Sequence, residues 1–231
     1  MKSLSVVLPA YNEEVNIEPM IENVLKTFTP LAPELEVIVV NDGSRDRTAE
    51  KIASVAARHP NVRMVTHEKN QGYGAALYDG FIAAKKEWVF LTDSDRQFKL
   101  SEIQNLIPHT ARADLVVGYR APRRDPFHRR LYGWGWNTLV RILFGYTARD
   151  VDCAFKLFRR QVMDHVQIRS RGATFSAEFL ARAKRAGYII AEVPVSHLPR
   201  PAGKPTGARV DVIARAFIEL VRVRIALWRG R

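Results

Sequence analysis

Along the first half of the chain, short apolar runs alternate with longer segments whose apolar residues recur at helical spacing. Leu4–Leu8, Glu36–Val40, Val62–Thr66, Trp88–Thr92 and Asp114–Gly118 read as strands. Between them, Asn16–Thr27 places Ile17, Met20, Ile21, Val24 and Leu25 on one helical face. A second helix runs through Ile52, Val55 and Ala56, with Ser44 and Asp46 as candidate caps. Ala75–Ala84 and Ser101–Ile107, the latter capped by Ser101, complete the series. This order predicts an α/β fold: a mostly parallel central sheet with helices on both faces. Ligands of such sheets lie beyond the carboxyl ends of the strands.

The second half is less regular. Arg130–Phe144 predicts an aromatic-rich helix, Ala154–Phe158 a strand, Phe175–Ala186 a helix and Ile189–Val195 a strand. A Pro/Gly-rich loop, Pro199–Gly207, leads into a helix over Val210–Trp228. There Asp211, Arg215, Glu219 and Arg222 form one polar stripe, opposite Val210, Ile213, Phe217, Leu220, Val221 and Leu227. Trp228 and Arg229 resemble an interfacial anchor. Two readings of this helix stay open: its apolar face packs on the core, or it docks on a membrane or a membrane-anchored subunit. The expected organisation is one domain over residues 1–209 with the amphipathic helix, 210–231, appended.

Charge narrows the choice of partner. The 231 residues carry a net charge of +12, and ten of those charges fall in residues 120–130 and 200–231. Basic character so confined implies an anionic partner at those segments. The single cysteine, Cys153, excludes an intrachain disulfide and a thiolate zinc cluster and suits a reducing cytosol. The first ten residues are too short an apolar run for a signal peptide, and no stretch has the length of a transmembrane helix.

The chemistry-bearing residues sit at predicted strand ends. Asp93-Ser94-Asp95 follows Trp88–Thr92, and residues two apart in extended chain point to the same side. Two carboxylates so close repel unless a cation lies between them, and hard oxygen ligands favour Mg²⁺ or Mn²⁺. Gln97 adds a further oxygen. Taken alone, the motif is more often an acidic surface turn. Asn41-Asp42-Gly43-Ser44 ends another strand; Asp42 can accept from a ribose or a base edge, although the same turn also suits a helix cap. Pro9-Ala10-Tyr11-Asn12-Glu13 and Asn70-Gln71-Gly72-Tyr73-Gly74 supply two more polar or glycine-rich ends.

Together these four segments resemble glycosyltransferase family 2, whose fold is GT-A, and within it the dolichyl- or polyprenyl-phosphate mannosyltransferases and related glucosyltransferases. Gly118-Tyr119-Arg120, the segment Asp150–Arg160, Glu178, and Val193-Pro194-Val195 with His197, Arg200 and Lys204 extend the resemblance over about residues 3–210. Ala154 stands where the family usually has glycine. The resemblance implies a donor half over about 1–119 and an acceptor half over 120–209. It implies Asp93, Asp95 and Gln97 around the metal, and Pro9, Ala10, Tyr11, Asn12, Glu13, Asp42, Asn70, Gly72, Asp93 and Ser94 around the nucleotide sugar. Arg120, Arg129, His197, Arg200 and Lys204 would meet the acceptor phosphate, with Asp95, Arg120 and Arg129 nearest the reaction. The activity so implied is inverting transfer of a hexose to a polyprenyl or dolichyl phosphate, at the inner face of a membrane. GDP-mannose is the first expectation as donor; UDP-glucose and UDP-N-acetylhexosamines come next.

Competing readings fare worse. A nucleic-acid-binding protein fits the charge, but no recognition motif accompanies it, so no nucleic-acid partner is expected. A dinucleotide-dependent dehydrogenase would carry G-x-G-x-x-G after the first strand, where Pro9-Ala10-Tyr11-Asn12 stands. A silent scaffold would not need the acidic pair. A transferase acting on a polysaccharide or glycolipid hydroxyl stays open; it would need a carboxylate base beside the acceptor.

Overall fold

The computed structural model describes residues 1–122, 127–201 and 210–228; side chains are described in these segments except at 127–130 and 210–215. In chain order the elements are β1 (Ser3–Ala10), α1 (Ile17–Phe28), β2 (Glu34–Asn41), α2 (Thr48–Arg58), β3 (Val62–Thr66), α3 (Tyr73–Ala83) and β4 (Trp88–Thr92). A 3-10 turn, Leu100–Glu102, leads into α4 (Ile103–Leu106) and a second such turn, Ile107–Ala111. Then follow β5 (Leu115–Arg120), α5 (Phe127–Phe144), β6 (Phe155–Arg159), α6 (Val162–His165), α7 (Phe175–Arg185), β7 (Ile190–Val195) and α8 (Val210–Trp228).

The strands form one sheet in the order β3-β2-β1-β4-β6-β5-β7. Only β6 runs against its neighbours β4 and β5; the other pairings are parallel. The mostly parallel sheet expected from the strand–helix alternation is therefore present. Both faces are covered. Val6 and Leu8 of β1 with Val37 and Val39 of β2 pack on α1 and α2. Val7, Ile38 and Val40 point the other way, onto Leu77 and Phe81 of α3 and Phe175 and Phe179 of α7. Two-residue alternation with both sides buried is why these strands read as unbroken apolar runs.

Ser101, expected to cap a helix, instead lies inside the 3-10 turn that starts after Lys99, and other details also depart from the sequence expectations. The N-cap position of α2 is Arg47; Asp46, one residue earlier, accepts from the Thr48 amide at 3.0 Å, and the Ser44 hydroxyl accepts from the Asn12 amide instead. In α8 the inward face is Ala216, Leu220, Val223 and Leu227, packed on Ala181 of α7 and Phe144 of α5. Phe217 and Val221, expected beside Leu220, are half exposed. Glu219 is not on a solvated stripe: it accepts from the Thr174 hydroxyl at 2.5 Å. Arg185 donates to the Leu227 carbonyl and so closes the end of α8. One face of α8 thus belongs to the core. Asp211 and Arg215 lie outside the described side chains.

Candidate active site

At β1 the chain changes side. β2 and β3 lie on one flank and β4 on the other, so the order of strands reverses between β1 and β4, and ligands of such sheets sit beyond the carboxyl ends at that point. Ser94 Oγ donates to the Pro9 carbonyl at 2.7 Å and ties these two strand ends together. Asp42 N donates to the Ala10 carbonyl at 2.9 Å, joining β2 to the same floor. Asn12, at φ 54°, accepts from the Arg45 amide at 2.8 Å, and Thr48 Oγ1 accepts from the Glu13 amide at 2.8 Å. Much of the polar chemistry at the first two strand ends therefore stitches loops to one another.

Asp93 and Asp95 flank the buried Ser94. Asp93 accepts from the Tyr73 hydroxyl at 2.9 Å. Asp95 accepts from the Gln97 amide at 3.2 Å, and its other oxygen lies 3.4 Å from an Arg200 nitrogen. Arg200 also donates to Glu13. The Gln97 side-chain amide donates to the Leu198 carbonyl at 3.0 Å. Burial raises the Asp93 carboxyl to about 7, with the charge of Asp95 adding to it; the Tyr73 hydroxyl, Lys156 and Arg120 pull the other way. Burial raises Asp95 as well. The Tyr73 phenol is held well above its ordinary value, by burial first and Asp93 second, so it stays a donor.

Two neighbouring carboxyls with disfavoured ionised forms lack positive charge, which a hard cation supplies. The residues fit such an ion. Among the described residues no cluster of three or more His, Cys, Asp or Glu could hold a metal. The protein would contribute a carboxylate pair and leave the remaining positions to ligand phosphates and water, the usual division for Mg²⁺.

On the acceptor side, Arg120 forms a two-pronged pair with Asp150, at 2.7 and 2.8 Å. Its fork faces Asp150 in this structure. Asp152, which neither composition nor spacing singled out, opens to solvent; surrounding protein nevertheless raises its carboxyl to about 6, opposed mainly by Lys156. Lys156 itself is buried and donates to the Cys153 carbonyl. Burial lowers its pKa, while Asp152, Asp150 and Asp93 work to keep it charged. On a strand, hydropathy patterning assigns a lysine to the solvent side, so the burial of Lys156 is not legible in the sequence. His197 is buried and its ring lies 5.9 Å from that of Phe98. Glu178 is fully buried and accepts from the Ser170 amide at 2.7 Å and from Arg182 at 2.7 Å, a scaffolding role. Tyr11 lies half-buried at the β1 end. The side chains of Arg129 and Lys204 lie outside the described residues. Arg200 is thus an acceptor-side arginine hydrogen-bonded to the acidic pair.

The chain is similar to known proteins over most of its length. The family model described as Glycosyl transferase family 2 matches residues 5–167. A dolichyl-phosphate beta-glucosyltransferase of Trichomonas vaginalis is 33% identical over 248 residues, covering 97% of this chain and 71% of that protein. An undecaprenyl-phosphate 4-deoxy-4-formamido-L-arabinose transferase of Pectobacterium carotovorum is 32% identical, over 88% of this chain and 62% of that protein. In fold, the chain is similar to glucosyl-3-phosphoglycerate synthase of Mycobacterium tuberculosis, solved with Mn²⁺, uridine diphosphate and glucosyl-3-phosphoglycerate. The TM-score is 0.71 at 21% identity, over 97% of this chain and 79% of that one. With the acidic pair at the sheet's switch point and the family model spanning most of the chain, the protein belongs to glycosyl transferase family 2 and is a glycosyltransferase.

Proposed function

We propose that the enzyme transfers a hexose, with inversion, from a nucleotide-diphosphate sugar to a polyprenyl or dolichyl phosphate. The observation that carries this reading is the Asp93/Asp95 pair beyond the carboxyl end of β4, with Arg200 drawn onto it from the acceptor side. The named activities of the relatives support the lipid-phosphate acceptor. They also make UDP-glucose the donor to test first, ahead of the GDP-mannose expected from sequence.

Asp93 and Asp95 would hold Mg²⁺ or Mn²⁺, with Gln97 beside them. When bound, such an ion offsets the negative charge that grows on the departing diphosphate. Tyr73 holds Asp93 by a hydrogen bond and thereby fixes one carboxylate. The nucleophile is a phosphate monoester, largely dianionic at neutral pH because its second pKa is near 6. Its oxygen attacks the anomeric carbon as the bond to the diphosphate oxygen breaks, and the electron pair leaves with the nucleoside diphosphate. Such a nucleophile needs positioning more than a base. A guanidinium fork such as that of Arg200 suits the task.

The acceptor's tail would keep the reaction at a membrane. No helix among the described residues is long and apolar enough to cross one. α8 nevertheless carries a second apolar stripe, on its outer side: Phe217, Ile218, Val221, Ile225 and Trp228 are exposed, Trp228 by 78%. The stripe is bordered by Arg222 and Arg224, and α5, packed beside α8, exposes Leu131, Trp134 and Ile142. An apolar stripe edged with arginines and ending in tryptophan matches an anionic bilayer surface. The expected location is the inner, cytoplasmic leaflet, where a nucleotide sugar is at hand. The decisive assay offers UDP-glucose, GDP-mannose and UDP-N-acetylglucosamine with polyprenyl phosphate and Mn²⁺. Asp95→Asn should stay folded and lose at least about 100-fold in transfer, the scale of a lost charge-stabilising group. Transfer by the wild type at full rate in excess chelator would sink the metal-assisted reading.

A further inference from the structure

Asp42 was expected to accept hydrogen bonds from the donor nucleoside. Its carboxylate is instead engaged by the protein on every side. Oδ1 accepts from the Gln71 amide at 2.8 Å and meets His67 Nδ1 at 2.7 Å. Oδ2 accepts from the Gly72 amide at 2.9 Å and from Asn70 Nδ2 at 2.8 Å. A carboxylate offers about four acceptor positions, and four donors already face this one. Asp42 is 3% exposed and His67 7%. The packing around it is equally close. A Cβ on Gly43, which has φ +64°, would lie 2.4 Å from the Lys69 carbonyl carbon and 2.5 Å from the Asn70 nitrogen.

His67 does more than fill a core position. Its other ring nitrogen, Nε2, lies 3.0 Å from Asp79 Oδ2, and its backbone amide donates to the Asn41 carbonyl at 3.0 Å. Asp79 is on α3. The first residue of α3 is Tyr73, whose hydroxyl holds Asp93. The contacts therefore close a circuit: Asp79 to His67, His67 to Asp42, Asp42 to the 70–72 loop, and that loop into Tyr73 and the acidic pair.

We propose that Asp42 is a buried post which sets the Asn70–Tyr73 loop for the donor, and that His67 and Asp79 are positioning residues of the donor site acting through it. This rests on the nucleotide-sugar reading given above. Neither His67 nor Asp79 needs to touch the donor. The imidazole orients Asp42 as an outer partner orients a ligating side chain, and loss of such partners costs about 10- to 100-fold in affinity or activity. Asp79 is the sharper probe, since its side chain is 41% exposed and its removal leaves no cavity.

The test compares wild type, His67→Gln and Asp79→Asn as the full chain. Uridine diphosphate affinity with Mn²⁺, KM for UDP-glucose and for a prenyl phosphate, kcat and the melting midpoint are measured. Hydrogen exchange of the peptide spanning 70–73 is followed without any ligand. Both variants should expose this peptide to faster exchange and raise the nucleotide Kd and donor KM about tenfold. Acceptor KM and the melting midpoint should hardly move. Unchanged exchange over 70–73 overturns the proposal. So does a uniform loss in which donor KM, acceptor KM and midpoint move together. If the wild type binds no nucleotide at all, the functional reading fails, and the exchange experiment still decides whether the post exists. If His67→Gln does not fold, Asp79→Asn carries both arms.

Discussion

Asp93 links the stability of this protein to its chemistry. Its carboxyl has an ordinary value of 3.8 and is raised to about 7 in the fold, chiefly by burial. Between those values the folded chain keeps a proton that the unfolded chain has released. Stability contributed by this group is therefore full below about pH 4 and is lost as pH rises towards 7. Asp152, raised to about 6, acts in the same direction. A divalent cation binds the ionised pair and should reverse the loss. We expect Mn²⁺ to raise the melting midpoint more at pH 8 than at pH 5.5. In chelator, the wild-type midpoint should fall relative to Asp93→Asn across that range; a relative rise would refute this assignment. Arg200 gives a second residue-scale prediction, since its guanidinium bridges Glu13 and Asp95. Arg200→Ala should raise the acceptor KM several-fold and leave nucleotide affinity near wild type; the opposite split would make Arg200 a donor residue.

Elements were legible from the sequence where their signal is local. β1, β2 and β4 appear as apolar runs because both faces of the sheet are covered there, and the acidic pair is legible because it directly follows β4. What the pattern could not supply is pairing at a distance. The donors that engage Asp42 lie 25 to 30 residues away, and Arg200 meets Asp95 across 105 residues. α8 shows the same limit within one helix. Apolar residues occupy two separate stripes, and periodicity alone does not say which of them meets α7. The two stripes make opposite predictions. Leu220, fully buried, should cost about 2–5 kcal/mol when cut to alanine. Trp228→Ser and Ile225→Ser, on the outer stripe, should each change stability by no more than about 0.5 kcal/mol. Thermal or urea unfolding of the three variants checks this; a large loss from Trp228→Ser would mean that the outer stripe is also part of the fold.

At the scale of the whole molecule, the regional charge, the outer stripe and the proposed acceptor make one prediction. Ten of the twelve net positive charges lie in the segments 120–130 and 200–231, which lead into α5 and include α8. Basic residues near an anionic leaflet contribute about 1 kcal/mol each, and salt screens that attraction within a Debye length of about 10 Å at 0.1 M. Burial of the aromatic and aliphatic stripe is not screened. The protein should therefore bind vesicles containing anionic lipid, weaken with added salt, and retain a salt-resistant remainder. Replacing Ile225 and Trp228 together by serine should remove that remainder without unfolding the chain. The consequence for catalysis is selective. A prenyl phosphate short enough to stay dissolved reaches the active site without a membrane, so the double variant should use it as well as the wild type does. Polyprenyl phosphate held in vesicles is confined to the bilayer, and with it the double variant should lose most of its rate. Equal loss on both acceptors would place the defect in the active site, and no loss on either would mean that the outer stripe of α8 does not seat the enzyme on lipid.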